Sequence, residues 1–173
     1  SIFKNDSILY LEGYLFDKNE TKQAMIYLCN IARNKGSLIC LSLSDSFCVE
    51  RHKKDFLLLI KNYVDILFGN DQEIKVLLDG ENIEKVNFIV EIAVVTNGPK
   101  GANIFKENNR IFIPPIHGLN VVDTTGAGDL FAAGFLFGFS KTLNLDDCGK
   151  LATQAASHII PVSYTHLTLP TIF

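Results

Sequence analysis

Short apolar runs alternate with longer stretches of mixed apolar and polar residues through the first hundred residues of the chain. The runs predict four β-strands, at Ile8–Glu12, Ser37–Leu43, Val64–Phe68 and Ile92–Thr96. Helical spacing between them predicts one helix through Ala24, Leu28 and Ile31, and others over residues 50–63, 73–78 and about 82–90. Asp17 and Glu20 have capping-box spacing at the start of the first helix. Because the strands are uniformly apolar, we expect helices on both faces of a mainly parallel sheet.

The later part of the chain predicts a hairpin, a polar loop and two helices. The hairpin strands are Ala102–Lys106 and Arg110–Pro114, and Val121 and Val122 end an extended segment before the loop. A buried helix follows at Leu130–Phe139, and the last helix runs from about Asp146, its predicted N-cap, to Ile160. Together the elements predict one α/β domain over residues 1–160, a three-layer α/β/α sandwich around a mainly parallel sheet.

The composition is that of a folded, slightly acidic chain. With 173 residues, of which 47% are hydrophobic, it can bury one sizeable core. Its net charge of -3 argues against nonspecific nucleic-acid binding.

The four cysteines lack Cys-x-x-Cys spacing, and the four histidines form no sequence cluster with them. We therefore expect no structural metal site. The first residues do not form the apolar stretch of a secretory signal, and no apolar run reaches about 18 residues, so we expect reduced thiols, a cytoplasmic location and no membrane partner.

Residues 123–129, Asp-Thr-Thr-Gly-Ala-Gly-Asp, carry the clearest indication of chemistry. They join an apolar strand to an apolar helix, so Gly126, Ala127 and Gly128 can direct backbone N–H groups at an anion. Asp129 follows at the mouth of this site, where an ionised carboxylate can accept the proton of an attacking hydroxyl. The pattern indicates phosphoryl transfer. The alternative is a structural turn in which Asp129 only complements the helix dipole.

The longer segment Val-Val-Asp-Thr-Thr-Gly-Ala-Gly-Asp-Leu-Phe-Ala-Ala-Gly-Phe, residues 121–135, resembles the signature of the ribokinase-like (PfkB) carbohydrate and nucleoside kinases. The resemblance implies an incomplete ribokinase-like fold and the use of ATP and Mg2+. It also implies that Asp129 is the catalytic base and that the amides of Gly126, Ala127 and Gly128 form the anion hole. The chain has no Gly-x4-Gly-Lys-Ser/Thr phosphate loop, which excludes the P-loop class.

Asn70 and Glu73 follow the third predicted strand and resemble the family's Asn-x-x-Glu motif. The resemblance implies that Asn70 contributes to nucleotide binding and that Glu73 contacts magnesium through water. At i and i+3 of a helix start, the same pair can be an N-cap and its capping-box partner, and both roles can hold together.

Residues 96–101 follow the fourth strand and resemble the Thr-x-Gly-x-x-Gly nucleotide loop of these kinases. Thr96, Gly98 and Gly101 are therefore expected to contact the nucleotide, because glycines allow close backbone approach. A Gly-Pro turn into a strand has the same appearance, so the structural interpretation stays open.

Three further residues have a role only through the resemblance. Asp123 and Thr125 occupy positions that help to form a potassium loop in cation-activated members, which adds K+ to the implied cofactors. Thr153 falls where the last helix of the family approaches the adenine, although it can equally be a small packing residue.

The resemblance covers residues 1–160 and corresponds to the C-terminal, ATP-binding part of a kinase near twice this length. Ser1 in place of an initiating Met leads us to expect a fragment. Residues 10–13, 42–48 and 148–151 resemble the adenosine-kinase-like branch, which makes adenosine the leading acceptor, with fructose or ribose behind it. The alternative function is that of an inactive nucleotide-binding fragment. Oligomeric state is left open.

Residues 161–173 differ from the rest of the chain, with no apolar period and no glycine. They resemble a translated sequencing-adapter read-through, so we expect a non-native tail in which Tyr164 and His166 have no function. A divergent extended terminus is the alternative.

Overall fold

A computed structural model describes residues 7–118 and 122–159 of the chain. Its six-stranded sheet has the strand order β1-β2-β3-β4-β5-β6. The strands are β1 (Ile8–Glu12), β2 (Leu38–Ser42), β3 (Ile66–Asn70), β4 (Ile92–Thr96), β5 (Ala102–Lys106) and β6 (Asn109–Ile113). The α-helices are α1 (Asn19–Asn34), α2 (Ser46–Asn62), α3 (Asp71–Leu77), α4 (Ala127–Ser140) and α5 (Leu145–Ser157), with 3-10 helices at Gly13–Asp17, Ile83–Phe88 and Gly98–Lys100.

The first four strands are parallel, and their carboxyl ends lie along one edge of the sheet. Glu12 is paired with Ser42, Ser42 with Phe68, and Asn70 with Thr96. Parallel neighbours require crossover connections, which the helical segments between these strands supply. The residues that follow the strands are thereby brought to the edge where α/β proteins bind their ligands.

The described residues fall into two compact units. The first comprises the described residues of Ser1–Asn97 and Asn103–Arg110, and the second comprises those of Gly98–Ala102 and Ile111–Phe173.

In the first unit, the helices between the strands pack on alternate residues of the sheet. Ile39 and Leu41 of β2 are fully buried in one cluster with Phe56 of α2. Cys40 and Ile66 lie outside that cluster and are also fully buried. Both faces of the central strands are therefore covered, as the uniformly apolar runs predict, and the chain has the architecture of an incomplete α/β/α sandwich.

In the second unit, α4 and α5 approach each other at glycines of α4. A Cβ atom on Gly134 would lie 2.8 Å from the carbonyl oxygen of Leu151 and 2.9 Å from the Cα of Ala152. A Cβ on Gly138 would lie 3.2 Å from the Cα of Cys148. The small residues of α4 thus permit contact between the two helix backbones.

The start or the cap of three helices differs from the sequence predictions. Asp45 caps α2, its Oδ1 accepting from the Cys48 N–H at 2.6 Å, so α2 begins before the predicted start at residue 50. Asn144 caps α5, and the prediction of Asp146 was therefore wrong. No side chain caps α1, because Asp17 pairs with Arg51 and His52 instead.

Two further segments were predicted with the wrong extent or type. The segment predicted as a helix over about 82–90 is a 3-10 helix at Ile83–Phe88. α4 begins at Ala127 rather than at Leu130, which places Gly128 and Asp129 in its first turn. The predicted end of the extended segment at Val121 lies outside the described residues.

Candidate active site

Asn70 and Glu73 form a complete capping box where β3 passes into α3. The side-chain oxygen of Asn70 accepts from the Glu73 N–H at 2.9 Å, and Glu73 Oε2 accepts from the Asn70 N–H at 2.9 Å. Asn70 Nδ2 also donates to Glu73 Oε1 at 2.5 Å. The capping interpretation of this pair is therefore confirmed, and its ligand-binding role stays a prediction.

The carboxylate of Glu73 lies in a buried, acidic environment, with only 6% of the residue exposed. Burial raises the pKa of Glu73, and the nearby carboxylates of Asp45 and Glu12 raise it further. A cation placed beside these three acids would reverse that effect by favouring the charged form. The donor set suits Mg2+, which prefers oxygen ligands and retains water.

A network at the ends of β1 and β2 adds polar residues that the sequence did not indicate as site members. The Ser44 hydroxyl donates to Glu12 Oε2 at 2.8 Å, and the Tyr14 hydroxyl donates to Asp45 Oδ2 at 2.5 Å. The hydrogen bond to Asp45 raises the pKa of Tyr14 to about 12 and lowers that of Asp45. Their position directly after parallel strands is the signal that could have found these residues.

The end of β4 and the loop after it contain the predicted nucleotide residues Thr96, Gly98 and Gly101. Thr96 is half-buried and is paired across the sheet with Asn70, so these two predicted residues lie together. Gly98 has a φ of 49° and open space around it.

Gly101 is required by the backbone itself. Its φ is 89°, and a Cβ atom at this position would overlap the carbonyl oxygen of Ile113. The structure therefore gives Gly101 a packing role that needs no ligand.

The signature loop leads directly into α4. Asp123 Oδ1 accepts from the Thr125 N–H at 2.8 Å, which closes the turn before the helix. Gly126 is the N-cap residue, with a φ of 77°, and no side chain caps α4. The use of Asp123 and Thr125 in this turn explains their positions without a cation, and their potassium role stays a prediction.

The start of α4 presents unpaired donors. The Ala127 N–H donates to the Thr124 carbonyl at 3.1 Å. Within residues 7–118 and 122–159, the N–H groups of Gly126, Gly128 and Asp129 have no acceptor. A Cβ on Gly128 would meet no atom within 4 Å, so the approach to these amides is open. Such a helix start is suited to a phosphate group.

Asp129 is exposed in the first turn of α4. In the part of the chain that the structure describes, its carboxylate forms no hydrogen bond or ion pair. An exposed and unpaired carboxylate beside free amides has the properties of a general base for a hydroxyl that attacks a bound phosphoryl group.

Thr153 lies within α5, where its hydroxyl donates to the Gly149 carbonyl at 3.0 Å. This bond within the helix satisfies the hydroxyl locally, as small packing residues do. Its predicted adenine contact stays a prediction.

No helix in the described ranges is long and apolar enough to cross a membrane.

The described site residues therefore form two groups. Asn70, Glu73 and Thr96 lie together in the first unit. Residues 123–129 form a continuous loop and helix start in the second.

The chain is similar in sequence and in fold to known proteins. The model of the pfkB family carbohydrate kinases matches residues 1–172, and the chain belongs to this family. Its similarity to nucleoside and adenosine kinases places it in the adenosine-kinase-like branch. A nucleoside kinase from Methanocaldococcus jannaschii is 33% identical over 123 residues, which are 70% of this chain and 41% of that protein.

Two solved structures of kinases are similar to the chain in sequence and in fold. A probable sugar kinase from Rhizobium etli CFN 42 is 42% identical with a TM-score of 0.86, over 89% of this chain and 48% of the other. Adenosine kinase from Sinorhizobium meliloti is 37% identical with a TM-score of 0.86, over 91% of this chain and 51% of the other. The chain spans about half the length of these relatives.

Proposed function

We propose that the whole protein transfers the γ-phosphoryl group of ATP to a primary hydroxyl of a nucleoside, with adenosine as the leading acceptor. The observation that carries this proposal is the start of α4, where open N–H groups adjoin the unpaired carboxylate of Asp129. Family membership supports the same reaction.

In the proposed reaction, Asp129 takes the proton of the acceptor hydroxyl. The hydroxyl oxygen forms a bond to the γ-phosphorus while the bond from phosphorus to the ADP oxygen breaks. The N–H groups of Gly126, Gly128 and Asp129 stabilise the negative charge on the transferred group, because they need no rearrangement to face an anion. Ala127 joins this anion hole only if its N–H leaves the Thr124 carbonyl.

The nucleotide is assigned to Asn70, Thr96, Gly98, Gly101 and Thr153. Mg2+ supplies charge neutralisation for the phosphates, and Glu73 would hold it through water. We further propose that Asp123 and Thr125 bind K+. We also propose that the protein is located in the cytoplasm.

Two observations bear on the acceptor. Similarity to the adenosine kinase from Sinorhizobium meliloti supports a nucleoside, whereas the higher identity to the probable sugar kinase from Rhizobium etli supports fructose or ribose as the second candidate. Because the chain spans about half the length of its relatives, the second candidate function for this chain is nucleotide binding without phosphoryl transfer.

The decisive experiment compares Asp129→Asn with the wild type in a full-length parent, using adenosine, cytidine, ribose and fructose as acceptors. We expect Asp129→Asn to lower kcat by about 100-fold or more with little change in ATP affinity, because only proton removal is lost. Asp146→Asn is the matched control, since Asp146 also lies in the first turn of a helix of the second unit. Equal kcat in the Asp129 variant and the wild type would exclude this residue as the base.

A further inference from the structure

Three side chains that can ligate a metal converge in the first unit, although the sequence spacing predicts no metal site. Asp17, Cys48 and His52 each offer one ligand atom, and these atoms all lie within 4.8 Å of one another. Cys48 and His52 are i and i+4 residues of α2, so they share one face of the helix. Asp17 reaches them from the end of the 3-10 helix Gly13–Asp17.

The environment of the three residues changes from buried to exposed across the cluster. Cys48 is completely buried, whereas 18% of the His52 side chain and 40% of the Asp17 side chain are exposed. The His52 ring packs beside Phe16 and Phe56, with 6.1 Å between ring centroids in both pairs. The cluster thus has an apolar wall around the imidazole and an entry path on the side of the carboxylate.

The Asp17 carboxylate is already oriented by cationic and polar neighbours. Arg51 Nη2 lies 3.0 Å from Oδ1 and 3.1 Å from Oδ2, and Arg51 Nε lies 3.3 Å from Oδ1. His52 Nε2 lies 2.7 Å from the same Oδ1. These contacts explain Asp17, Arg51 and His52 as a surface ion-pair group, whereas Cys48 packs in the buried core cluster with its thiol beside that group.

We propose that Asp17, Cys48 and His52 bind a thiophilic divalent cation such as Zn2+, with water as the fourth ligand. One oxygen, one nitrogen and one sulfur ligand, plus an open position, suit tetrahedral zinc. In the bound state, the cation takes the place of the hydrogen bond between His52 Nε2 and Asp17, and Arg51 keeps its contact with the free carboxylate oxygen. Arg51 then orients the ligating carboxylate, as outer-shell partners do.

Metal binding at this site must release a proton. Burial raises the pKa of the Cys48 thiol to about 11, so the thiol is protonated near neutral pH. Formation of the sulfur–metal bond therefore sends the thiol proton to solvent.

The test is a Co2+ titration of the full chain, followed by competition with Zn2+. We expect a sulfur-to-cobalt charge-transfer band in the near ultraviolet that Zn2+ abolishes. Cys48→Ala should remove the band, and His52→Gln should weaken Co2+ binding by about 100-fold or more, because loss of a direct ligand costs at least as much as loss of an outer-shell partner. Circular dichroism before and after titration establishes that each variant is folded.

Cys148→Ala is the matched control. Cys148 is also fully buried near the start of a helix, but it does not belong to the cluster of Asp17, Cys48 and His52. The variant should keep the band unchanged. No band in the folded wild type, or a band that persists in Cys48→Ala, would overturn the proposal. If Cys48→Ala does not fold, X-ray absorption of the Zn2+-loaded wild type decides, since the proposal requires one sulfur ligand, and a shell of oxygen and nitrogen alone would refute it.

Discussion

Gly101 combines a left-handed backbone with a crowded position, whereas Gly98 in the same loop has the backbone conformation without the crowding. We expect Gly101→Ala to destabilise the protein by more than about 2 kcal/mol, because left-handed strain adds to the clash with the Ile113 carbonyl. Gly98→Ala carries only the conformational cost, about 1 kcal/mol. Chemical denaturation of both variants measures the difference.

The Gly98→Ala and Gly101→Ala variants also distinguish a loss of ATP contact from a loss of folding stability. If Gly98 contacts ATP as proposed, then Gly98→Ala weakens ATP binding in a protein that still folds, as isothermal titration would show. An equal loss of stability in both variants would mean that the crowding at Gly101 has no energetic effect.

Sequence motifs at this scale predicted candidate residues but left their roles open. Asn70 and Glu73 were predicted both as a capping pair and as a ligand pair, and the structure tests only the first. Asp17 and Asp146 were placed at helix starts by spacing alone. Spacing does not reveal that Arg51 and His52 compete for Asp17, or that Asn144 is available to cap α5.

The capping box at the start of α3 can be compared with the similar cap at the start of α5. Asn70 and Asn144 each accept from an N–H three residues on, and each donates from Nδ2 to the carboxylate of that residue. Loss of either cap should cost about 1 kcal/mol. Asn70→Ala should cost about 1 kcal/mol more than Asn144→Ala, because Glu73 is buried and loses a hydrogen-bond donor.

Thermal unfolding of the two variants measures this difference, and ATP titration adds a second comparison. If Asn70 also binds the nucleotide, its replacement lowers ATP affinity while Asn144→Ala does not. Equal stability losses would contradict the inferred importance of burial at Glu73.

At Gly134, in the contact between α4 and α5, replacement by alanine has two opposite effects on the stability of the protein. Replacement of a helical glycine by alanine gains about 1 kcal/mol of helix propensity. The added Cβ would lie only 2.8–2.9 Å from backbone and side-chain atoms of α5, and overpacking costs about 1–3 kcal/mol. We expect a net loss in Gly134→Ala.

Gly128→Ala provides the stability control in the same helix, because its Cβ would meet nothing within 4 Å. It should be neutral or slightly stabilising in a denaturant titration. A gain of stability in Gly134→Ala similar to that in Gly128→Ala would show that the two helices separate easily.

For the whole molecule, the parallel arrangement of the first four strands brings residues that are distant in sequence to one edge of the sheet. Four apolar runs predicted the strands, and the polar residues after them come to one edge because the strands run in the same direction. The sequence could not show which of these residues contact one another. The Tyr14–Asp45 and Ser44–Glu12 bonds join residues about 30 positions apart, and local patterns do not contain such pairings.

Residues 161–173 lie outside the described residues, and the sequence predicts that they are a non-native tail. Their deletion from a full-length parent should leave the melting temperature and ATP affinity within error, because an unpatterned terminus contributes few buried contacts. A longer deletion that also removes α5 should unfold the second unit, since α4 packs against that helix. Loss of ATP binding on deletion of the tail alone would instead make Tyr164 and His166 candidates for the site.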